Sequence, residues 1–179
     1  GLYTSPHLER FAERVQIDGN DVSEQRTVRR FYRLAEVVDR HYEAHDPWLP
    51  TTFELLTAFA FLTFAEEGVA LAIVEVGIGG RTDATNVITP IASVFTPIEL
   101  EHARLLGPTL RSIAAEKGGI IKDGRPAYSA AQLPEADATL RRVAQLRGAP
   151  LHTISEIVPS FSSSLTRTGV RLHISLPGA

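Results

Sequence analysis

The chain has 179 residues, a formal net charge of −3, 44% hydrophobic residues and no cysteine. This length supports one sizeable core rather than two comfortable domains, and the lack of cysteine excludes disulfides and thiolate metal sites. The near-neutral charge argues against nucleic acid as a partner. No apolar run approaches the roughly 20 residues that span a bilayer, and no signal-peptide layout is present, so we expect a cytoplasmic protein without a membrane partner.

The first part of the chain predicts a loop, a short hairpin and two helices. Residues 1–22 are rich in turn-forming residues and end in a hairpin-like strand. Apolar positions at three- and four-residue steps predict an amphipathic helix over residues 23–45, which Pro47 and Pro50 break. A second helix, apolar on most sides, is predicted over residues 53–67.

Strands and helices alternate in the middle of the chain. Apolar runs at residues 69–76 and 91–98 predict strands that are buried on both faces, as in parallel sheets. Amphipathic helices are predicted at residues 108–117 and 134–147, with a short strand at 127–130 between them. This order predicts an α/β fold with a mostly parallel sheet and helices on both faces.

The end of the chain follows a different pattern. Two alternating segments around Thr168 and Gly169 predict a small antiparallel hairpin at the C-terminal end. We therefore divide one expected domain, residues 1–179, into an active-site loop and hairpin (1–22), an α/β core (23–150) and a terminal β-hairpin (151–179).

A glycine-rich segment follows the first predicted buried strand and contains much of the chemistry. Glu75 lies where the strand ends, and a buried carboxylate there needs a metal or an arginine partner to offset its desolvation. Gly77, Gly79 and Gly80 permit a ligand to approach the backbone closely. A purely structural alternative pairs Glu75 with Arg81.

A histidine and a hydroxyl extend this candidate site. His102 follows the second buried strand, and the carboxyl ends of parallel strands meet at one edge of a sheet. Glu75, His102 and a hydroxyl such as Ser5 would leave room for waters and phosphate oxygens around an octahedral Mg²⁺. The alternative for His102 is an ordinary surface histidine.

Lysine is rare in this chain. Only Lys117 and Lys122 are lysines among the eighteen lysines and arginines, and a lysine retained among arginines hints at amine chemistry that a guanidinium cannot supply. The structural alternative for Lys117 is a cation at a helix C-terminus or a partner of Glu116.

Five segments together resemble the successive signatures of folylpolyglutamate synthase and the bifunctional dihydrofolate synthase, in the Mur ligase superfamily. The resemblance covers roughly residues 1–150, and the central signature is highly specific. The segments are Thr4–Leu8 with Phe11 and Glu13–Arg14, Thr51–Glu54, Glu75–Asn86, His102 with Leu106–Thr109, and Glu116–Lys122.

The resemblance implies the central, P-loop-NTPase-like domain of a Mur-type ligase. Such enzymes use ATP and Mg²⁺ to convert a folate or dihydropteroate carboxylate into an acyl phosphate, which the amine of L-glutamate attacks. The resemblance also implies residue roles: Ser5, Glu75 and His102 as metal ligands; Thr51, Thr82, Asp83 and Ala84 as substrate-binding residues; Lys117 as a carbamoylated lysine; and Lys117, His102 and Glu75 as the catalytic set.

The chain also departs from the family pattern. No glycine-rich phosphate loop precedes Ser5, so no nucleotide-binding residues are assigned, and the family's C-terminal domain is absent. We therefore expect an incomplete domain that is inactive in isolation. Glu99 and Glu101 replace a glycine and an aspartate of the family beside His102, which affects the expected metal geometry.

Three alternatives remain open at this point. The same fold could serve another Mur-type amide ligase acting on a cell-wall precursor or a poly-amino-acid. The chain could be a non-catalytic remnant that acts as a binding module, although such a module has no need of Glu75, His102 and Lys117. A dinucleotide-binding dehydrogenase is the weakest alternative, because no spaced GxGxxG motif follows the strand.

Overall fold

The computed structural model describes residues 1–44, 49–158 and 160–175. Two compact units divide the chain. The first comprises Gly1–Ile78 with Asp83–Val87, and the second comprises Gly79–Thr82 with Ile88–Ala179. Each unit has its own cluster of buried apolar side chains. The grouping of residues 1–179 into one domain with three parts stays a prediction.

The first unit contains a small mixed sheet of four strands in the order β3-β2-β1-β4. The first three strands pair antiparallel to their neighbours, whereas β4 pairs parallel to β1. A turn at Asp18 and Gly19, both with positive φ, joins β2 to β3. The strands are β1 (Leu2–Tyr3), β2 (Val15–Ile17), β3 (Asn20–Asp21) and β4 (Ile73–Val74).

Two helices complete the first unit, and both confirm the helical periodicity of the sequence. They are α1 (Glu24–Ala44) and α2 (Thr52–Glu66); the predicted end of α1 at His45 and the break at Pro47 lie outside the described residues. Phe31 of α1 stacks on Phe59 of α2 with ring centroids 4.6 Å apart. The buried core consists of Tyr3, Val15, Leu56, Phe59, Ala60 and Phe64.

The first predicted buried strand is shorter and more exposed than expected. Of residues 69–76 only Ile73–Val74 are strand, and Ile73 is 66% exposed. Within the described part of the chain β4 pairs on one side only, with β1, so it is an edge strand and not an interior one. Glu75 is exposed as well, so the prediction that it is buried is wrong within the described residues; its pairing with a metal stays a prediction.

The second unit is built on a parallel sheet of three strands in the order β5-β6-β7. The strands are β5 (Ser93–Phe95), β6 (Ala127–Ser129) and β7 (Leu151–Thr153). Short helices α3 (Ala103–Leu106) and α6 (Ile154–Ile157) flank the longer helices α4 (Leu110–Gly118) and α5 (Pro134–Leu146). The side chains of α4 and α5 pack with those of the sheet; the buried set is Phe95, Ile98, Ile113, Ala114, Ile121, Ala127, Ala136, Leu140, Ala144 and Ala149.

The predicted C-terminal hairpin is present as β8 (Ser160–Thr166) and β9 (Gly169–Ser175), paired antiparallel from Ser160↔Ser175 to Thr166↔Gly169. It begins later than residue 151, because β7 continues the parallel sheet and α6 follows it. The α/β fold with parallel strands and a terminal hairpin is therefore confirmed. No helix in the described ranges combines the length and the apolar character that a membrane crossing requires.

Candidate functional site

Ser5 and Glu75 lie together in the first unit. Strands β1 and β4 run parallel with Tyr3 opposite Val74, and the amide of Glu75 donates to the carbonyl of Tyr3 at 2.9 Å. Beyond these strand ends the amide of Ser5 donates to Glu75 Oε2 at 2.7 Å. The structure thus places two of the three predicted metal ligands side by side at the carboxyl ends of neighbouring strands.

Asp83 organises the glycine-rich segment that follows β4. Its Oδ2 accepts hydrogen bonds from the amides of Gly77 (3.1 Å) and Ile78 (3.0 Å), and its Oδ1 accepts from the amide (2.9 Å) and hydroxyl (2.6 Å) of Thr85. By accepting four hydrogen bonds, this carboxylate holds the two ends of the loop together. The Thr85 side of the loop continues as a 3₁₀ turn, Ala84–Val87.

Gly77 is tightly enclosed on its other side. A Cβ built on it would lie 2.5 Å from Cζ of Phe53, so any larger residue here would require this ring to shift. Phe53 belongs to the first turn of α2, so the glycine segment rests on the start of that helix.

Thr51 caps the same helix. Its hydroxyl accepts from the amide of Glu54 at 3.2 Å, and Glu54 Oε2 accepts from the amide of Thr51 at 2.7 Å. This reciprocal arrangement is a capping box. The hydrogen bond from the backbone of Thr51, followed by that from its hydroxyl, lowers the pKa of the Glu54 carboxyl.

The loop between β1 and β2 is held by its own side chains. The carboxylate of Glu13 accepts from the amides of Leu8 and Arg10, each at 2.8 Å, and of Glu9 at 3.2 Å. The bonds from Leu8 and Arg10 lower the pKa of Glu13. Arg14 Nε donates to His7 Nδ1 at 2.7 Å. Leu8 is 93% exposed, so a rigidly held loop presents an apolar side chain to solvent.

His102 lies in the second unit at the N-terminus of α3. Its backbone is left-handed, with φ 51° and ψ 30°, and its side chain forms no capping hydrogen bond. The imidazole is exposed. A left-handed conformation is uncommon for a residue with a Cβ, and such positions cluster at functional sites.

Lys117, in the last turn of α4, pairs with Glu101. Its Nζ lies 2.9 Å from Glu101 Oε1, and its side chain is 24% exposed. The hydrogen bond and the charge of Lys117 lower the pKa of the Glu101 carboxyl. The alternative pairing of Lys117 with Glu116 is wrong, because Glu116 binds Arg81.

Arg81 and Glu116 form what we call the loop clamp. Arg81 Nη2 donates to Glu116 Oε1 at 2.6 Å and Nε to the same oxygen at 3.1 Å, while the Arg81 amide donates to the Glu116 carbonyl at 2.8 Å. A Cβ on Gly80 would lie 2.7 Å from the Lys117 carbonyl oxygen. Residues 79–82 therefore lie directly against the end of α4. The alternative pairing of Arg81 with Glu75 stays a prediction.

The predicted site residues are divided between the two units. Ser5, Thr51, Glu75, Asp83 and Ala84 belong to the first, whereas Thr82, His102 and Lys117 belong to the second. The gathering of Glu75, His102 and Lys117 around one ion stays a prediction. No group of three or more acidic or histidine side chains that could hold a metal occurs in the described part of the chain; the proposed ligand set contains only two such residues and a hydroxyl.

Sequence reasoning missed one polar residue of the second unit, Gln132. It belongs to no motif, but it follows the predicted strand at residues 127–130. Polar residues just beyond the carboxyl ends of parallel strands are candidates for a site, and this rule applies to Gln132 as it does to His102. Its amide bonds the residues that lead to His102.

Taken together, the fold and site define an α/β protein with a parallel sheet and polar residues beyond the carboxyl ends of its strands. No protein-family model matches the chain. It is 41% identical over 140 residues to folylpolyglutamate synthase of Lacticaseibacillus casei, which covers 78% of this chain and 33% of the relative. It is 38% identical over 173 residues to dihydrofolate synthase/folylpolyglutamate synthase of Bacillus subtilis, covering 94% and 39%.

A solved structure gives the same result. The chain is similar to a folylpolyglutamate synthase in complex with AMPPCP and folate, with a TM-score of 0.92 and 35% identity over 99% of this chain and 43% of that chain. The chain belongs to the folylpolyglutamate synthase and dihydrofolate synthase family. It spans 33% to 39% of the length of the two curated relatives.

Proposed function

We propose that this chain is part of an ATP-dependent amide ligase that adds L-glutamate to folate or dihydropteroate through an acyl phosphate. The observation that carries the proposal is the similarity, over 99% of the chain, to a synthase solved with both AMPPCP and folate. As part of the same proposal, the enzyme acts in the cytoplasm.

As part of the same proposal, and on the family resemblance, Ser5, Glu75 and His102 are ligands of magnesium. The donor set fits this ion, since the adjacent Ser5 and Glu75 offer hard oxygen ligands and leave positions for water and phosphate oxygens. When bound, the ion would offset negative charge on the transferred phosphoryl group. The protein's contribution is to place the reacting groups and hold them.

The pterin-bearing substrate would be held by Thr51, Thr82, Asp83 and Ala84. Because the Asp83 carboxylate already accepts four hydrogen bonds, its part is to shape the loop. Direct contact from this segment would then come from the exposed Thr82 side chain and from backbone groups. Thr51 would contribute from the start of α2.

Lys117 would be carbamoylated. In that step the neutral amine attacks carbon dioxide, a bond forms between Nζ and carbon, and the nitrogen loses a proton to water. Lys117 is only partly exposed, and its amine is paired with the carboxylate of Glu101. The modification must therefore break the pair with Glu101, and the resulting anion would no longer be attracted to it.

The loop from Thr4 to Arg14 would cover the acyl phosphate and exclude competing water. Its internal hydrogen bonds support a preformed cover. If a variant with this loop shortened retained wild-type substrate affinity and phosphate hydrolysis, the covering role would be wrong.

The ATP and glutamate sites would be completed by parts of the protein outside residues 1–179, namely a phosphate loop and a C-terminal domain. We propose that the isolated polypeptide is inactive. Steady ATP turnover by residues 1–179 in response to folate or dihydropteroate would contradict this.

The test of the whole proposal uses the full-length gene product. Purified protein is incubated with ATP, Mg²⁺, L-glutamate and either folate or dihydropteroate, and products are identified by mass spectrometry. We expect a product heavier by one or more glutamyl residues and an equal release of ADP. Ligation to a nucleotide-sugar peptide instead of a pterin would favour another Mur-type ligase, and the absence of any ligation with intact substrate binding would favour a binding module.

A further inference from the structure

Gln132 bridges the ends of two parallel strands in the second unit. Its Nε2 donates to the carbonyl of Thr96 at 2.8 Å, and its Oε1 accepts from the amide of Ile98 at 2.8 Å. Thr96 and Ile98 follow β5, whereas Gln132 itself follows β6. One side chain thus ties the segment after β5 to the segment after β6.

The orientation of this amide is fixed by its partners. The Ile98 amide can only donate and the Thr96 carbonyl can only accept, so the oxygen and nitrogen of Gln132 have one consistent assignment. Nε2 also donates to Ser129 Oγ at 3.0 Å, and that hydroxyl donates to the Ala130 carbonyl at 2.9 Å. Ser129 is 1% exposed, so the bridge has a buried support.

The segment that Gln132 holds leads directly to His102. Ile98 is 3% exposed and belongs to the core, and the amide of Glu101 donates to the Glu99 carbonyl at 2.9 Å. At its far end the segment is held by the pair of Glu101 with Lys117 at 2.9 Å. His102 therefore follows a short loop whose start is set by Gln132 and whose end is set by α3 and α4.

We propose that Gln132 is a positioning residue, which acts through Ile98 to fix the loop that places His102. The inference rests on the proposed function, since His102 is a metal ligand only in that proposal. Residues that orient metal ligands change metal affinity by about 10- to 100-fold when they are altered. Gln132 contacts Thr96, Ile98 and Ser129 and not His102 itself, so its effect on His102 would pass through the backbone of the loop.

The test uses three variants of the full-length protein. Gln132→Met keeps a side chain of similar length and removes all three hydrogen bonds. Ser129→Ala removes the buried support but leaves both bonds from Gln132 to the loop. Gln145→Met, on the exposed side of α5, is the surface control.

Two quantities are measured on metal-free protein: the affinity for Mn²⁺, followed by electron paramagnetic resonance, and hydrogen exchange of the amides of residues 98–102. We expect Gln132→Met to weaken Mn²⁺ binding about 10- to 100-fold and to speed exchange in that segment, with both controls close to wild type. Wild-type affinity and exchange in Gln132→Met would overturn the inference, as would an equal loss of affinity in Gln145→Met.

The two proposals fail in different ways. If wild-type protein binds no Mn²⁺, the metal-dependent function is overturned. The positioning role is then judged by hydrogen exchange. Faster exchange at residues 98–102 in Gln132→Met, and not in the control, supports that role, and unchanged exchange overturns it. Should Gln132→Met not fold, the same criteria apply to Gln132→Glu, which keeps the acceptor for the Ile98 amide and loses the donor to the Thr96 carbonyl.

Discussion

Lys117 Nζ lies 2.9 Å from Glu101 Oε1, and this pair opposes the modification that the family resemblance implies for Lys117. Carbamoylation would replace the cation of this pair by an anion, so the attraction to Glu101 would be lost and two negative charges would lie side by side. By the same resemblance, Glu101 stands where the family carries an aspartate. Its longer side chain is therefore a feature by which this chain can differ from its relatives.

Replacing Glu101 by Gln should favour carbamoylation of Lys117. Because the side chain of Glu101 is half exposed and such pairs contribute about 1 kcal/mol or less, we expect the bicarbonate concentration for half-modification to fall by up to about fivefold. The measurement is a bicarbonate titration of the full-length protein, with the carbamate detected by ¹³C nuclear magnetic resonance.

Glu99→Gln is the matched control for that experiment. Glu99 is an exposed carboxylate two residues away, so its removal alters the net charge equally without touching the pair. An equal effect of both substitutions would show that general electrostatics, and not the pair, governs Lys117.

Two neighbouring glycines at the end of α4 should respond unequally to alanine. A Cβ on Gly119 would lie 2.3 Å from Cβ of Arg81, whereas one on Gly118 would meet Val143 Cγ2 at 3.3 Å, Val143 Cγ1 at 3.4 Å and Leu140 Cδ2 at 3.5 Å. We expect Gly119→Ala to destabilise the protein by about 1–3 kcal/mol because the loop clamp must shift. Gly118→Ala should cost less than Gly119→Ala, since only side-chain ends must move and alanine favours the helix. Urea unfolding of the two variants compares them directly.

The loop clamp itself should matter more for activity than for stability. Arg81→Lys loses the planar fork that binds Glu116 through two nitrogens, and its side chain is 65% exposed, so the change in unfolding free energy should be about 1 kcal/mol or less. We expect kcat/KM of the full-length protein for the proposed ligation to fall at least about tenfold, because residues 79–82 lose their fixed position. Arg141→Lys, in the pair with Asp137 on α5, is the control, and an equal loss there would contradict a specific role of the clamp.

The sequence predicted the positions of the helices and strands well, and predicted which strands are exposed to solvent less well. Helical periodicity located α1, α4 and α5, because each has one apolar face, whereas α2 was predicted as a helix that is apolar on most sides. The apolar run at residues 69–76 predicted a buried strand, but burial depends on which strands lie beside it, and β4 has β1 on one side only within the described residues. Periodicity carries no information on that point.

For the candidate site, too, the sequence predicted which residues belong to it better than it predicted their contacts. Motifs identified Ser5 and Glu75, and the pairing of β1 with β4 brings them together. Motifs could not show that Asp83 and Thr51 have their polar atoms engaged by neighbouring backbone, nor that Glu101 is the partner of Lys117. These relationships depend on side-chain conformations that residue spacing does not specify.

Asp83→Asn should loosen the glycine-rich loop. The amide nitrogen of asparagine would face backbone donors, either Gly77 and Ile78 or Thr85, and lose their hydrogen bonds. We expect a destabilisation of about 1–3 kcal/mol and faster hydrogen exchange at residues 77–86. Asp123→Asn is the control, since the side chain of Asp123 is 79% exposed. If the amides of residues 77–86 exchange no faster in Asp83→Asn than in Asp123→Asn, Asp83 does not hold the loop together.

The loop between β1 and β2 should open in acid before the rest of the first unit. The pKa of Glu13 is lowered in the folded protein by the amides of Leu8 and Arg10, so its stabilising contribution is fully present above the ordinary glutamate value of about 4.3 and is lost as the pH falls through the lower folded value. Hydrogen exchange of the amides at residues 8–10, corrected for intrinsic rates, should therefore show an added opening below about pH 4. Glu13→Gln should show faster exchange of these amides at neutral pH and no such acid transition, whereas Glu24→Gln, an exposed carboxylate at the start of α1, should behave as wild type. A transition that persists in Glu13→Gln would assign the acid sensitivity of the loop to another group.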